Sequence, residues 1–398
     1  MFASFAFAYF LSALLRAVTA TLAPSFSAEL GLGAAELGLL AGAYFLGFAT
    51  TQLPLGSALD RLGPRRVLLA LLALAVAGCA AFALARSFVA LTLARALIGV
   101  GVSACLMAPL TAFRRRFSPV AQMRSNSWML MSGSLGMIAS TLPVQWLLPL
   151  LGWRGLFRCL ALALVVAMVA IAALVPADGA PVEPAPGAAR EGYAAVFRHP
   201  TFLRFAPMGF FHYGGLIAVQ SLWAGPWLVK VCGWSPAQAA SGLFGINVAM
   251  LVAFMAWGWL VPRLHASGWT AQRLIARGTP VSLVVLALAV VTGPGATAWA
   301  WAAFCVSCTV VSLSQPAVGM ALPPSLAGRA LSAYNLLIFG GIFTLQWGMG
   351  VVIDVFTRAG ADDVSAYRGA FGLLGLSALA SYAWFLWRAD GPPPEPAA

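Results

Sequence analysis

Long apolar runs, broken by short charged, proline- or glycine-containing segments, fill the chain from its first residues to about position 388. Each run is close to the roughly 20 residues that an α-helix needs to cross the hydrocarbon core of a bilayer. Bounding the runs by their charges, prolines and glycines predicts twelve helices near 4–24, 35–57, 66–85, 88–113, 125–151, 155–175, 203–226, 237–260, 275–293, 297–322, 331–353 and 369–388. The fold class expected from this pattern is all-α: a polytopic membrane protein whose twelve transmembrane helices form two six-helix repeats. The first run has no basic leader, Arg16 being its first cation, and is too long for a signal-peptide core. It is expected to stay in the membrane.

The one sizeable polar stretch, 176–200, opens Pro176-Ala-Asp-Gly-Ala-Pro-Val-Glu-Pro-Ala-Pro-Gly187 and reads as a linker, because Pro, Ala and Gly cannot bury a core. It divides residues 1–175, a first six-helix bundle, from 201–388, a second. Residues 389–398, with Gly391-Pro-Pro-Pro-Glu-Pro, are expected to form a disordered tail. An internal repeat supports the division. Gly56-Ser-Ala-Leu-Asp60-Arg61-Leu after the second helix aligns with Gly258-Trp-Leu-Val-Pro262-Arg263-Leu after the eighth. Pro24 aligns with Pro226 at the same offset, and Gln145-Trp146 aligns with Gln346-Trp347 one residue away from it.

Composition narrows the chemistry. The chain is 61% hydrophobic and 9% charged, with a mean hydropathy of +0.90, whereas a soluble domain is about 25% charged. A net charge of +12 would suggest nucleic acid in a soluble protein. Here the arginines sit in short loops: Arg61, Arg65, Arg66, Arg114, Arg115, Arg116, Arg263, Arg273 and Arg277 fall among others on one side. The positive-inside bias then places both termini in the cytoplasm. The single lysine, Lys230, has no phosphate-cradling loop before it, and neither a His-x-x-x-His pair nor a Gly-x-Ser-x-Gly elbow occurs. ATP hydrolysis, zinc proteolysis and serine-hydrolase chemistry lack their parts, and no enzyme site, metal or cofactor is expected. The six cysteines, Cys305-x-x-Cys308 included, lie mainly in apolar runs and read as small buried residues.

Gly56-Ser-Ala-Leu-Asp60-Arg61-Leu-Gly63-Pro64-Arg65-Arg66 resembles the loop between helices 2 and 3 of the major facilitator superfamily. Arg95-Ala-Leu-Ile-Gly99-Val-Gly101 is similar to that family's second motif, and Gly152-Trp153-Arg154-x-x-Phe157 also looks family-like. The resemblance covers essentially the whole chain and implies transport by rocking two halves about a central site. The Gly-Pro-rich helix 5 signature of drug/proton antiporters is poorly matched by Gly133-Ser-Leu-Gly136-Met-Ile-Ala-Ser-Thr-Leu-Pro143, which counts against drug export. Within this frame Gly56, Asp60, Arg61, Gly63 and Arg65 are gating candidates. A carboxylate at Asp60 can accept from the unpaired amides that begin helix 11, around Arg329–Ser332, and so latch the inner face. In the second half Pro262 replaces the acid, so this latch is expected once only.

Charges within spans cost several kcal/mol and usually face a cavity or a partner. Arg16 is expected about 12 Å, and Arg95 about 10 Å, below the outer face. Tyr9, Ser12, Arg16 and Thr19 share one helical face. Gln220, Asn247 and Asn335, with Gln315 and Gln346 beside them, are further polar candidates for a substrate site, and His212 is a candidate proton carrier that could equally pack against Tyr213. No Asp or Glu lies in the middle of any predicted helix. The cavity is therefore expected to be net positive and to take an anionic, carboxylate-bearing small molecule, which guanidinium groups match in bidentate fashion. In the competing reading Arg95 bonds carbonyls or polar groups of neighbouring helices and Arg16 extends to the interface. The function expected is a monomeric secondary transporter in a bacterial inner membrane, driven by a proton or counter-anion gradient. Efflux of hydrophobic drugs or cations, or a non-transporting sensor, are the alternatives.

Overall fold

A computed structural model describes residues 1–177 and 193–388; most of the linker and the whole 389–398 tail lie outside the described residues. The spans are α1 (Phe2–Leu30), α2 (Ala34–Thr50, bending by 46° into Gln52–Leu62), α3 (Pro64–Leu84) and α4 (Phe88–Val102, resuming as Met107–Arg116). There follow α5 (Pro119–Ala139, resuming over 142–151), α6 (153–174), α7 (Pro200–Pro207 through to Ala224–Lys230) and α8 (Pro236–Ala266). The chain ends with α9 (Ala271–Thr292), α10 (Ala298–Cys308, resuming as Ser314–Ala321), α11 (Pro324–Arg358) and α12 (Asp363–Trp387). Among the described residues nine segments are long and apolar enough to cross a membrane, and the bent α2 makes ten. The broken helices α5 and α7 complete twelve. Both chain ends then lie on one face, here named the terminal face; the other is the far face.

Local chemistry explains where the helices start and stop. Ser87, Ser118, Ser235 and Thr270 each accept from a first-turn amide at the head of a helix. Asp362 does the same for α12, and its bonds to Ser365 hold its carboxyl below the usual carboxylate range. Gly152 turns α5 into α6 at φ 62°, a left-handed value natural to glycine. Trp153 and Arg154, immediately after it, both bond Glu29 at the end of α1, so this motif staples α6 to α1.

Three boundaries differ from the sequence expectation. α1 does not stop at Pro24 but runs on to Leu30. A proline removes one amide and so frees the carbonyl four residues back; Gly225 of α7 approaches that carbonyl so closely that a Cβ would sit 3.0 Å from Ala20 O. Arg16 accordingly lies near the middle of the span, about 21 Å from either end at 1.5 Å per residue, and not about 12 Å from the outer one. In α7, Pro226 likewise sits inside the helix, and two stretches, Met208–Tyr213 and Val219–Trp223, widen to π geometry. α5 breaks at Ser140 and Thr141, whose hydroxyls bond back to Met137 O and Ile138 O, competing with the ladder. Thr21 of α1 donates to Ser140 O at 2.7 Å across the break.

The first six spans pack on one another through α1–α5, α1–α6, α2–α4, α3–α4 and α3–α6; the second six do so through α7–α11, α8–α10, α9–α10, α9–α12 and α11–α12. The two bundles meet along α2–α11, α1–α7 and α5–α8. Backbones nearly touch where α2 crosses α11: a Cβ on Gly38 would overlap Gln346 O, and one on Gly350 would overlap Ala34 O. Such close approach is how helices associate in a bilayer, where apolar side chains gain nothing by leaving lipid.

Candidate functional site

A cavity of about 210 Å³ lies between the bundles, lined from α1 (Tyr9, Ser12, Arg16), α2 (Phe48, Gln52), α4, α5, α7 (Tyr213, Ile217), α10 (Gln315) and α11 (Asn335, Phe339). Arg16 is the only cation among its lining residues, and none of them is acidic. Its guanidinium carbon is 5.9 Å from the Phe48 ring and 6.0 Å from the Phe339 ring, close enough for the ring quadrupoles to attract it. Arg16 Nε is buried without a hydrogen-bond partner among the described residues. Gln315 donates to Asn335 Oδ1, so the amides of α10 and α11 are ordered across from Arg16. Together these groups offer one guanidinium and several neutral polar atoms, framed by aromatic faces.

Other charged and polar candidates are placed elsewhere. Arg95 is fully buried: its Nη1 donates to Leu15 O at 2.9 Å and its Nη2 to Thr19 Oγ1 at 2.7 Å, with Tyr44 5.2 Å beneath it. Arg95 and Thr19 thus clasp α4 to α1, and neither lines the cavity. Gln220 donates to Asn247 Oδ1 at 2.9 Å, and Asn247 to Leu243 O, a clasp between α7 and α8 behind the cavity wall. His212 is buried against α9, its Nε2 2.9 Å from Ser282 Oγ, and is also absent from the lining. Of the expected substrate-binding residues, Tyr9, Ser12, Arg16 and Asn335 come together; Thr19, Arg95, Gln220 and Asn247 do not. Sequence reasoning passed over Gln52, Phe48 and Phe339. Gln52 carried a signal, being an amide beside the Thr50-Thr51 bend of an apolar run. The phenylalanines carried none, since a phenylalanine under a guanidinium looks like one facing lipid.

The major facilitator superfamily model matches residues 5–345. The chain belongs to the major facilitator superfamily. No curated protein sequence matches it. Its fold is similar to a bacterial homologue of the human lysosomal transporter Spinster in an inward-facing, unoccupied conformation, with TM-score 0.77 and 16% identity over 97% of this chain and 96% of that one. It is also similar to a D-xylose-proton symporter, with TM-score 0.78 and 14% identity over 98% and 97%.

In this superfamily member the two faces differ. On the far face, Asp354 near the end of α11 accepts from Ala34 N and Ala35 N, both at 3.0 Å, and so caps the opening turn of α2. The first amides of a helix carry partial positive charge and want such an acceptor. The glycine crossings of α2 and α11 and the approach of Gly225 to Ala20 close the same face. On the terminal face, Asp60 sits 3.8 Å from Arg115 of its own bundle, its side chain 64% exposed. The carboxylate that caps across the bundles in this state is therefore Asp354, not Asp60.

Around Asp60, Gly63 turns α2 into α3 at φ 89°, a Cβ on Gly56 would meet open space, and Arg61 is exposed. Arg65 donates to Ala172 O at the end of α6, where a cation also suits the helix dipole. The short helix Tyr193–Arg198 spans the bundles: the Tyr193 hydroxyl donates to Leu53 O at 3.1 Å and interacts with Ser332 of α11, and burial pushes its phenol pKa up. Asp354→Asn keeps shape but removes the charge facing the two amides, a loss of about 1 kcal/mol for a half-buried cap. Spin labels across the far face are expected to show a several-fold larger open population in the variant.

Proposed function

We propose that this superfamily member transports a small organic monoanion, carboxylate-bearing, by alternating access of residues 1–175 against 201–388 about the Arg16 cavity. The observation that carries the proposal is the missing counter-charge of Arg16: one guanidinium near mid-membrane, hydrogen-bonded to the neutral Tyr44 hydroxyl, with its Nε unpartnered among the described residues and no acidic residue lining its cavity. A buried cation without a counter-charge is costly, and an incoming carboxylate removes that cost while accepting two charge-assisted bonds. With a single cation available, a monoanion is balanced and a dianion is not. Tyr9, Ser12, Gln52, Gln315 and Asn335 are assigned to its neutral polar groups, and Phe48 and Phe339 to its apolar part. Thermal-shift measurements on the purified protein with mono- and dicarboxylates, phosphate, neutral sugars and lipophilic cations test this. Monocarboxylates should raise the melting temperature by mass action, and stabilisation by sugars or cations alone would refute the assignment.

Within the same proposal the terminal face is cytoplasmic, by its arginine content, and the membrane is a bacterial inner membrane. The state described is then closed outside by Asp354. Asp60, with Gly56, Arg61, Gly63, Arg65 and Ser332 around it, serves the opposite state, where it reaches the first turn of α11. Coupling falls to the substrate's own acid proton or to a counter-anion, because His212 stands behind the cavity wall with Ser282. His212→Gln is accordingly expected to leave the pH profile of uptake between about pH 5 and 8 unchanged. A profile flattened by that substitution would return the proton to His212.

A further inference from the structure

The turn between α8 and α9 is the second repeat's counterpart of the Asp60 loop, and it has lost its acid. No Asp or Glu occurs between Glu191 and Asp354, so α7 through most of α11 supplies no carboxylate to the arginines of the terminal face. Arg263, Arg273 and Arg277 are all exposed there. Arg273 and Arg277 lie one turn apart on α9, where like charges repel and an anion between them is favoured; Arg273 Nη1 also donates to Gly268 O at 3.2 Å, which holds its guanidinium at the α8–α9 turn. Arg277 is also not a loop residue. It is about 9 Å along α9 from Ala271, deeper than the positive-inside bias requires.

Tryptophans gather at the same place. The Arg277 guanidinium is 4.8 Å from the Trp269 ring and the Arg263 guanidinium 3.8 Å from the Trp259 ring. The first repeat carries Leu55 and Ser57 at the positions of Trp257 and Trp259. Below Arg277 runs an apolar groove of about 470 Å³ between α8, α9 and α10, whose lining includes Trp257, Leu260, Leu274, Val281 and Val310. Trp257 is fixed in its wall by a 2.7 Å bond to Thr309 Oγ1. Cations at headgroup depth, indoles beside them and an apolar channel continuing toward mid-membrane match the three parts of a phospholipid: phosphate, glycerol interface and acyl chain.

We propose that the α8–α9 hairpin is a binding site for an anionic phospholipid, its phosphodiester held between Arg273 and Arg277 and one acyl chain lying in the groove. The site is separate from the Arg16 cavity and does not depend on what that cavity carries. The lipid ties the terminal-face halves of α8 and α9 to the middle of α10, steadying the second bundle.

The test compares the full-length protein in neutral detergent with phosphatidylglycerol, phosphatidylcholine or inorganic phosphate added. Phosphatidylglycerol should raise the melting temperature of the wild type, and equally of a control, Arg124→Gln, at an exposed arginine in the first turns of α5 in the other bundle, well above the value in phosphatidylcholine. In the Arg273→Gln/Arg277→Gln double variant its affinity should fall about tenfold. Equal stabilisation of the double variant, or full stabilisation by inorganic phosphate alone, would overturn the proposal. A second measurement needs no variant: a photoreactive anionic phospholipid should label wild-type peptides spanning 257–281 before others. Labels spread evenly around the terminal-face rim would contradict the site.

Discussion

Arg16→Gln is expected to abolish the stabilisation of the protein by carboxylates while leaving the ligand-free protein as stable as the wild type, or more so. A charge-assisted hydrogen bond contributes about 1.5–3 kcal/mol, so replacing the guanidinium by an amide should weaken binding at least ten- to a hundredfold. The ligand-free fold has little to lose. Arg16 is held by two aromatic rings about 6 Å away and by a hydrogen bond with the Tyr44 hydroxyl, and the loss of these contacts is offset by removing an uncompensated charge from near mid-membrane. Lysine at this position should recover part of the affinity, since it restores charge but not the planar fork. Calorimetric titration of the three proteins with the best monocarboxylate measures this. Equal affinity in Arg16→Gln would remove the anion from the cavity.

The reverse pattern is expected of Arg95→Met. Both Nη atoms of Arg95 are committed, to Leu15 O and Thr19 Oγ1, within a fully buried contact of α4 and α1. Methionine fills similar volume but leaves the Thr19 hydroxyl without its donor and Leu15 O with only its intrahelical bond, a loss of about 1–3 kcal/mol in all. Some of that loss is offset because no charge need then be buried. The net expectation is a destabilisation of about 1–2 kcal/mol, read as a lower melting temperature, with carboxylate affinity within about threefold of wild type. Arg95→Lys should not rescue it, because one ammonium cannot reach two acceptors set for a fork. Affinity lost in parallel with stability would instead put Arg95 on the substrate.

The contrast between these two arginines marks what was legible in the sequence. Twelve spans, the duplicated halves and the Asp60 loop all follow from hydropathy and short motifs, because a bilayer leaves helices few alternatives. Arg16 is legible as well: a cation mid-run on a polar stripe with Tyr9 and Ser12. Which of two intramembrane arginines faces the cavity is not written there, since it depends on how far α4 turns toward α1. The depth of Arg16 was misjudged for a local reason. Pro24 reads as a helix end, yet the carbonyl it frees is met by Gly225 from the other bundle, a contact some two hundred residues away in sequence. Asp354 falls just past the predicted helix 331–353, where the sequence shows no more than an acid at a helix end; its role as a cap on α2 needs the crossing of α2 and α11.

Uptake into proteoliposomes tests the central claim most directly. Purified protein would be reconstituted, loaded with unlabelled monocarboxylate, and given the labelled compound outside, with a neutral sugar and a lipophilic cation in parallel vesicles and Arg16→Gln alongside. The account predicts counterflow of the monocarboxylate through wild type, none through Arg16→Gln, and none of the sugar or the cation through either. Counterflow of the cation or the sugar that survives Arg16→Gln, with no movement of any carboxylate, would contradict it.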